Sequence, residues 1–158
     1  MGTRRQAREL AMQALFSMDM NTDYSPGTLD AYCQCFPPEK RVATFFHQLV
    51  NGVLEHKTDI DAVIERYSDN WKIRRMAGVD RNILRLAVYE LLYCADTPAK
   101  VIINEAIDIG KKFGTPETGS FVNGIIDSIR IAIANGDLPA DGRAELTKDK
   151  SQAVSNDR

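Results

Sequence analysis

An all-helical fold is what this 158-residue sequence predicts, on three observations. Apolar residues recur at three- and four-residue spacing almost throughout; no stretch sustains the strict alternation of a half-buried strand; and Pro, Gly and short Asn/Asp runs cut the pattern into helix-length pieces.

The first helix is expected from Thr3, a capping residue, with Ala7, Leu10, Ala11, Ala14, Leu15 and Met18 as its inner stripe, and it should end at Asn21-Thr22-Asp23. Ser25-Pro26 opens a short second helix carrying Leu29, Tyr32 and Cys33, with Pro at the first helical position, where its missing donor costs nothing. Pro37-Pro38 separates it from a longer helix lined by Val42, Phe45, Phe46, Leu49, Val50, Val53 and Leu54, which restarts or continues at Thr58 or Asp59 through Ile60, Val63, Ile64 and Tyr67. Ser68-Asp69-Asn70 is the expected break at mid-chain.

Trp71 and the basic stretch Lys72 to Arg75 begin the second half, followed by a strong apolar stripe at Val79, Ile83, Leu84, Ala87, Val88, Leu91 and Leu92. Thr97-Pro98 ends that helix and starts the next, lined by Val101, Ile102, Ala106 and Ile107 and expected to stop at Gly114 in a left-handed cap. Thr115-Pro116-Glu117 opens a last helix through Val122, Ile125, Ile126, Ile129 and Ile133 to Gly136. Beyond Gly136 the apolar pattern disappears, so residues 137–158 read as a flexible, solvated tail.

A weak internal repeat links Leu49-Val50-Asn51-Gly52-Val53-Leu54-Glu55 to Phe121-Val122-Asn123-Gly124-Ile125-Ile126-Asp127. Gly inside a helix costs roughly 1 kcal/mol against Ala and usually signals close helix approach. Two small helical bundles, about 1–69 and 70–136, each with a Gly-notched helix and packed into one compact domain, follow from this.

With 44% hydrophobic and 27% charged residues the chain has the composition of a water-soluble globular protein of about one domain. No apolar run approaches the roughly 20 residues of a membrane span, and no secretion signal follows the first arginines, so a cytoplasmic protein is expected. Cys33, Cys35 and Cys94 lack the spacing of a zinc site and read as free thiols. His47 and His56 match no metal-binding spacing, and no phosphate loop, nucleophile elbow or dinucleotide fingerprint occurs; an enzyme, a cofactor and a metal are not expected.

The charge is distributed more tellingly than its net value of −2 suggests. Arg4, Arg5 and Arg8 occupy the first two helical turns, where cations oppose the helix dipole, and Arg4 and Arg8 share a face suited to neighbouring phosphates. The reading is either a solubilising end or a nucleic-acid site, with Gln13 further along the same helix. Lys111 and Lys112 stand beside the start of the last helix, whose free N–H groups form an anion site, although lysines also favour a helix C-terminus. Phe121 suits stacking on an unpaired base and equally suits core packing. Asp80, Arg81 and Arg85 lie on the polar side of their helix, where the two arginines repel unless an acid faces them.

In this order, Arg4-Arg5-x-Ala7-Arg8, Gln13-Ala14-Leu15, Asp80-Arg81-x-Ile83-Leu84-Arg85, Ile103-Asn104-Glu105-Ala106, Lys111-x-Phe113-Gly114 and Phe121-Val122-Asn123-Gly124 resemble the NusB family of transcription antitermination factors over residues 3 to about 135. The resemblance implies two packed helical bundles and a non-enzymatic protein that pairs with NusE, a small-subunit ribosomal protein, to bind the single-stranded boxA element of ribosomal RNA leaders. Other Nus factors and RNA polymerase would join that complex. Residue by residue, it implies Arg4, Arg5, Arg8 and Gln13 along the RNA, with Lys111, Lys112, Phe121 and Asn123 on the other side of the contact surface. Phe16 and Asp80, with Arg81 beside it, would face NusE, and Glu117 would lie near both. Gln6 stands where some relatives carry Arg, Phe16 where Tyr is common and Ala99 where Tyr is frequent, which would redistribute those contacts. A helical interaction module, or a homodimer whose basic end is incidental, is the alternative.

Overall fold

The computed structural model describes residues 2–69 and 71–140. Among them are six α-helices and no strand: α1 (Thr3–Met20), α2 (Pro26–Cys35), α3 (Lys40–Arg66), α4 (Gly78–Tyr93), α5 (Ala99–Phe113) and α6 (Thr118–Ala134), with a 3-10 turn at Ile73–Arg75 between α3 and α4. No described helix is long and apolar enough to cross a membrane.

The apolar stripes do what their spacing predicts, and the core is one continuous cluster. Every residue from Asn82 to Leu92 is buried, because α4 packs against α1, α3, α5 and α6 alike. α4 thus packs on helices from both sides of the division expected near residue 69. Val101 is an exception to its stripe: it is exposed, and Ile109 and Gly110 complete the buried face of α5 instead.

Several local expectations are corrected. Gly2, not Thr3, is the N-cap of α1, and it makes no side-chain cap bond. Of the two alternatives for the third segment, the helix continues through Thr58 and Asp59, and its bend lies at His56, whose φ of −109° and ψ of 15° leave the helical region while its ring stacks 3.9 Å from that of Tyr93. Gly114 is extended, with φ −98° and ψ −164°, rather than left-handed; glycine is needed there because a Cβ would sit 2.4 Å from Thr118 Oγ1. The left-handed cap falls at Gly136, φ +79°, where the Gly136 and Asp137 N–H groups close back on Ile133 and Ala132. Immediately after it Leu138 and Ala140 are buried, so the packed body extends into the start of the expected tail; residues 141–158 lie outside those described. Cys94 is buried, Cys33 half-buried and Cys35 exposed, and none of the three forms a disulfide among the described residues.

The two repeat glycines differ in environment. A Cβ at Gly52 would lie 2.2 Å from the Tyr89 ring, so α3 and α4 touch there through glycine alone, whereas nothing stands within 4 Å of the same atom at Gly124. The Gly notch exists in one half and not in the other. Gly52→Ala is expected to destabilise by about 1–3 kcal/mol through overpacking, and Gly124→Ala to be neutral or stabilising by up to about 1 kcal/mol through helix propensity; paired thermal melts measure both.

Candidate nucleic-acid interface

The first two turns of α1 sort their three arginines into three environments. Arg4 is exposed, with its guanidinium 4.4 Å from the centre of the Phe45 ring, a cation–π contact that leaves its donors free for an anion. Arg5 lies across to α5, donating from Nε to Glu105 at 2.8 Å and from Nη2 to Glu105 at 3.1 Å and Asp108 at 2.7 Å. The Glu105 hydrogen bond above all, and then both carboxylate charges, raise the Arg5 pKa further against partial desolvation. Arg8 is 4% exposed and donates from Nε and Nη2 to both oxygens of Glu90, itself 2% exposed. Arg8 thus does not bracket phosphates beside Arg4: its placement in the sequence-predicted RNA face is corrected to a buried tie between α1 and α4. The reason is geometric, since Arg8 falls on the same face as the buried Ala7, Ala11 and Leu15.

A shallow groove opens beside these turns, lined by Arg4, Arg5, Thr97, Pro98, Val101 and Glu105 among others. Down α1, the Gln13 amide donates to its own helix at the Glu9 carbonyl, 3.1 Å, and is half-buried. Glu9 in turn accepts from Lys112 Nζ at 2.9 Å. Lys112 is consequently paired, while Lys111 is exposed and opens onto a second groove with Gly114, Thr115, Gly119, Ser120 and the exposed Asn123.

The start of α6 is not the vacant anion site its sequence suggested. The Thr118 hydroxyl accepts from the Thr115 N–H at 3.0 Å and donates to Asp80 Oδ1 at 2.8 Å, and exposed Glu117 forms the N-cap; the positive end of the helix already has carboxylates beside it. Phe121 is half-buried, set edge-to-face against Trp71 with ring centres 6.0 Å apart, so it is neither a core residue nor a free platform.

On the partner-side residues, Phe16 is half-buried in an apolar groove with Met12, Tyr32, Val79, Phe113 and Phe36, the last 62% exposed. Arg81 and Arg85, expected on the polar side of their helix, are drawn inward by the acid that their spacing demanded. Asp19 accepts from Arg81 Nε, from Asn82 Nδ2 at 2.9 Å and from Arg85 Nη1 at 3.3 Å; Arg85 also forks onto Asp61 at 2.8 and 3.1 Å. Arg81 is spent on this network and on the Met76 carbonyl rather than offered to a partner. Burial works to raise the Asp19 pKa, but hydrogen bonds from Arg81 and Asn82 and the charges of Arg85 and Arg81 outweigh it and hold the carboxyl below its ordinary value of 3.8.

Sequence reasoning missed Glu90, Glu105 and Asp19 as counter-ions and Phe36 and Phe45 as exposed or bridging aromatics. Glu90 had a signal: it shares a helix face with Ile83 and Ala87, and a carboxylate on an apolar face requires a cation. The aromatic positions had none.

The family model of the NusB family matches residues 5–130. The transcription antitermination protein NusB of Desulfatibacillum aliphaticivorans is 53% identical over 131 residues, 83% of this chain and 92% of that one; its counterpart in Bacillus velezensis is 48% identical over 130 residues, 82% and 97% of the two chains. Among solved structures, NusB of T. maritima superposes with a TM-score of 0.70 at 38% identity, covering 80% of this chain and 89% of that one. A chain from the crystal structure of the antitermination factors NusB and NusE in complex with dsRNA superposes with a TM-score of 0.72 at 28% identity, covering 84% and 98%.

Arg8→Ala leaves Glu90 buried without its cation and is expected to cost about 3–5 kcal/mol, while Arg4→Ala, at an exposed site, leaves stability within about 0.5 kcal/mol of wild type; denaturant titrations separate the two. Because the folded Asp19 carboxyl has the lower pKa, its stabilisation is complete above the unfolded value and is lost as pH falls below 3.8 through the folded one. Stability measured against pH should drop through that acid range in the wild type and drop less in Asp19→Asn.

Proposed function

The chain belongs to the NusB family, and on that premise we propose that it is a transcription antitermination factor that binds boxA-type single-stranded RNA of ribosomal RNA leaders together with NusE. It acts by binding alone, as an adaptor in the cytoplasm: one face holds RNA, a second recruits the ribosomal protein, and the pair joins other Nus factors and RNA polymerase. Each surface is small, and sharing one assembly between them spares either contact from being tight by itself.

The observation that carries this reading is the selective exposure of cations. Arg5, Arg8 and Lys112 are neutralised within the protein, but Arg4 and Lys111 are left exposed beside two grooves, with Asn123 offering amide donors and acceptors next to Lys111. Phosphates are met by the free cations and base edges by the amide. The apolar groove at Phe16, with exposed Phe36 at its rim, supports a protein partner for the other face. A solved relative in complex with NusE and RNA supports both contacts together.

Binding of a short U- and A-containing RNA, with NusE present, should weaken steeply with salt. Arg4→Ala and Lys111→Ala should each reduce the slope of log K against log salt by about 0.7, the single-strand value per phosphate contact, with melting temperature unchanged. Failure of wild-type protein to bind the RNA even at low salt with NusE present would overturn the adaptor and favour a protein-interaction module or homodimer.

A further inference from the structure

Trp71, the only tryptophan of the chain, is 53% exposed. It is nevertheless held in place. Its backbone N–H donates to the Ser68 carbonyl at 3.1 Å, the Ser68 hydroxyl donates to the Trp71 carbonyl at 3.1 Å, and the Ile73 backbone N–H two residues later donates to Glu65 Oε1 at 2.9 Å. Its ring meets that of Phe121 at an interplanar angle of 73°. A pinned segment that keeps a large aromatic face in water is organised for something to cover it.

What surrounds that face is cationic. Lys72, Arg74 and Arg75 are all exposed around the 3-10 turn, and among the described residues none of the three forms an ion pair. This contrasts with α1 and α4, where Arg5, Arg8, Arg81 and Arg85 each have carboxylates. The patch also adjoins α6, since Phe121 of that helix is the ring set edge-to-face against Trp71.

We propose that Trp71, Phe121 and the turn Lys72–Arg75 form a second RNA subsite, which takes unpaired nucleotides flanking the stretch bound along α1 and α5. The proposal rests on the RNA-binding reading above and extends it. Bases stack on the Trp71 face and the three cations meet successive phosphates. Every base has a π-face, so the subsite responds to the length of single strand and tolerates its sequence. A protein partner is the weaker occupant, because three unpaired cations around one aromatic face complement a polyanion.

Trp71 reports on its own site, as its fluorescence is the chain's only tryptophan signal. The experiment uses the full chain with NusE and a boxA-containing RNA, then the same RNA lengthened with oligouridine at the 5′ or the 3′ end. One extension should tighten binding and quench Trp71. Trp71→Ala should weaken binding of the lengthened RNA about tenfold, and the triple variant Lys72→Ala, Arg74→Ala, Arg75→Ala should lower its salt slope by about 2, both leaving the short RNA unaffected. If the short RNA binds but neither extension adds affinity or quenching, the subsite is wrong and the adaptor reading stands; if no RNA binds, both fall. Quenching by NusE alone, unchanged by RNA, would assign the patch to protein contact and overturn the subsite.

Discussion

Two buried charges can leave water only together, and the Arg8–Glu90 pair imposes that condition on the packing of α1 against α4. An apolar seam tolerates sliding by a helical turn, because one Leu replaces another. A guanidinium forked onto one carboxylate does not, since any other register leaves two ions buried and unpaired. At the opposite end of the same helix pair Asp19 receives Arg81, Asn82 and Arg85, so the seam is fastened at both ends. No buried side-chain nitrogen or oxygen among the described residues lacks a partner, which is the condition under which such networks specify one arrangement. Everything else on the interface inherits its position from this fastening: Arg4 one turn before Arg8, and Phe16 one turn before the foot of α1.

The helices were legible in the sequence because burial follows period, and α4 is the clearest case, where Ile83, Leu84, Ala87, Val88, Leu91 and Leu92 are all buried as spaced. The roles of charged residues were legible only in part. Local grouping marks Arg4, Arg5 and Arg8 as unusual but says nothing about Glu90, Glu105 or Asp108, which lie 82 to 103 positions from their arginines along the chain and meet them only through the fold. Arg81 and Arg85 show the converse: their mutual repulsion at i, i+4 required an acid, and Asp19 and Asp61 supply it from other helices. Caps were hard to place for a similar reason. Gly114 owes its identity to the nearness of Thr118 across the α5–α6 turn rather than to a backbone angle, and spacing alone does not distinguish the two.

The cations fall into two populations with different work. Those facing carboxylates hold helices in register, and their charge is consumed locally. Those without carboxylates, Arg4 and Lys111 foremost, project the field that an anion meets. A small residual charge of −2 conceals this separation, which a count of basic residues cannot show.

The clamp of Arg5 between Glu105 and Asp108 bears on discrimination as well as on folding. Non-specific attraction to nucleic acid grows with each free cation that displaces a counterion, and most RNA in a cell carries the wrong sequence. A guanidinium already matched to two carboxylates adds little to that indiscriminate term. On the RNA-binding function proposed above, an arginine screened in this way limits the time lost on bulk transcripts, and selection falls to the groups proposed to read bases.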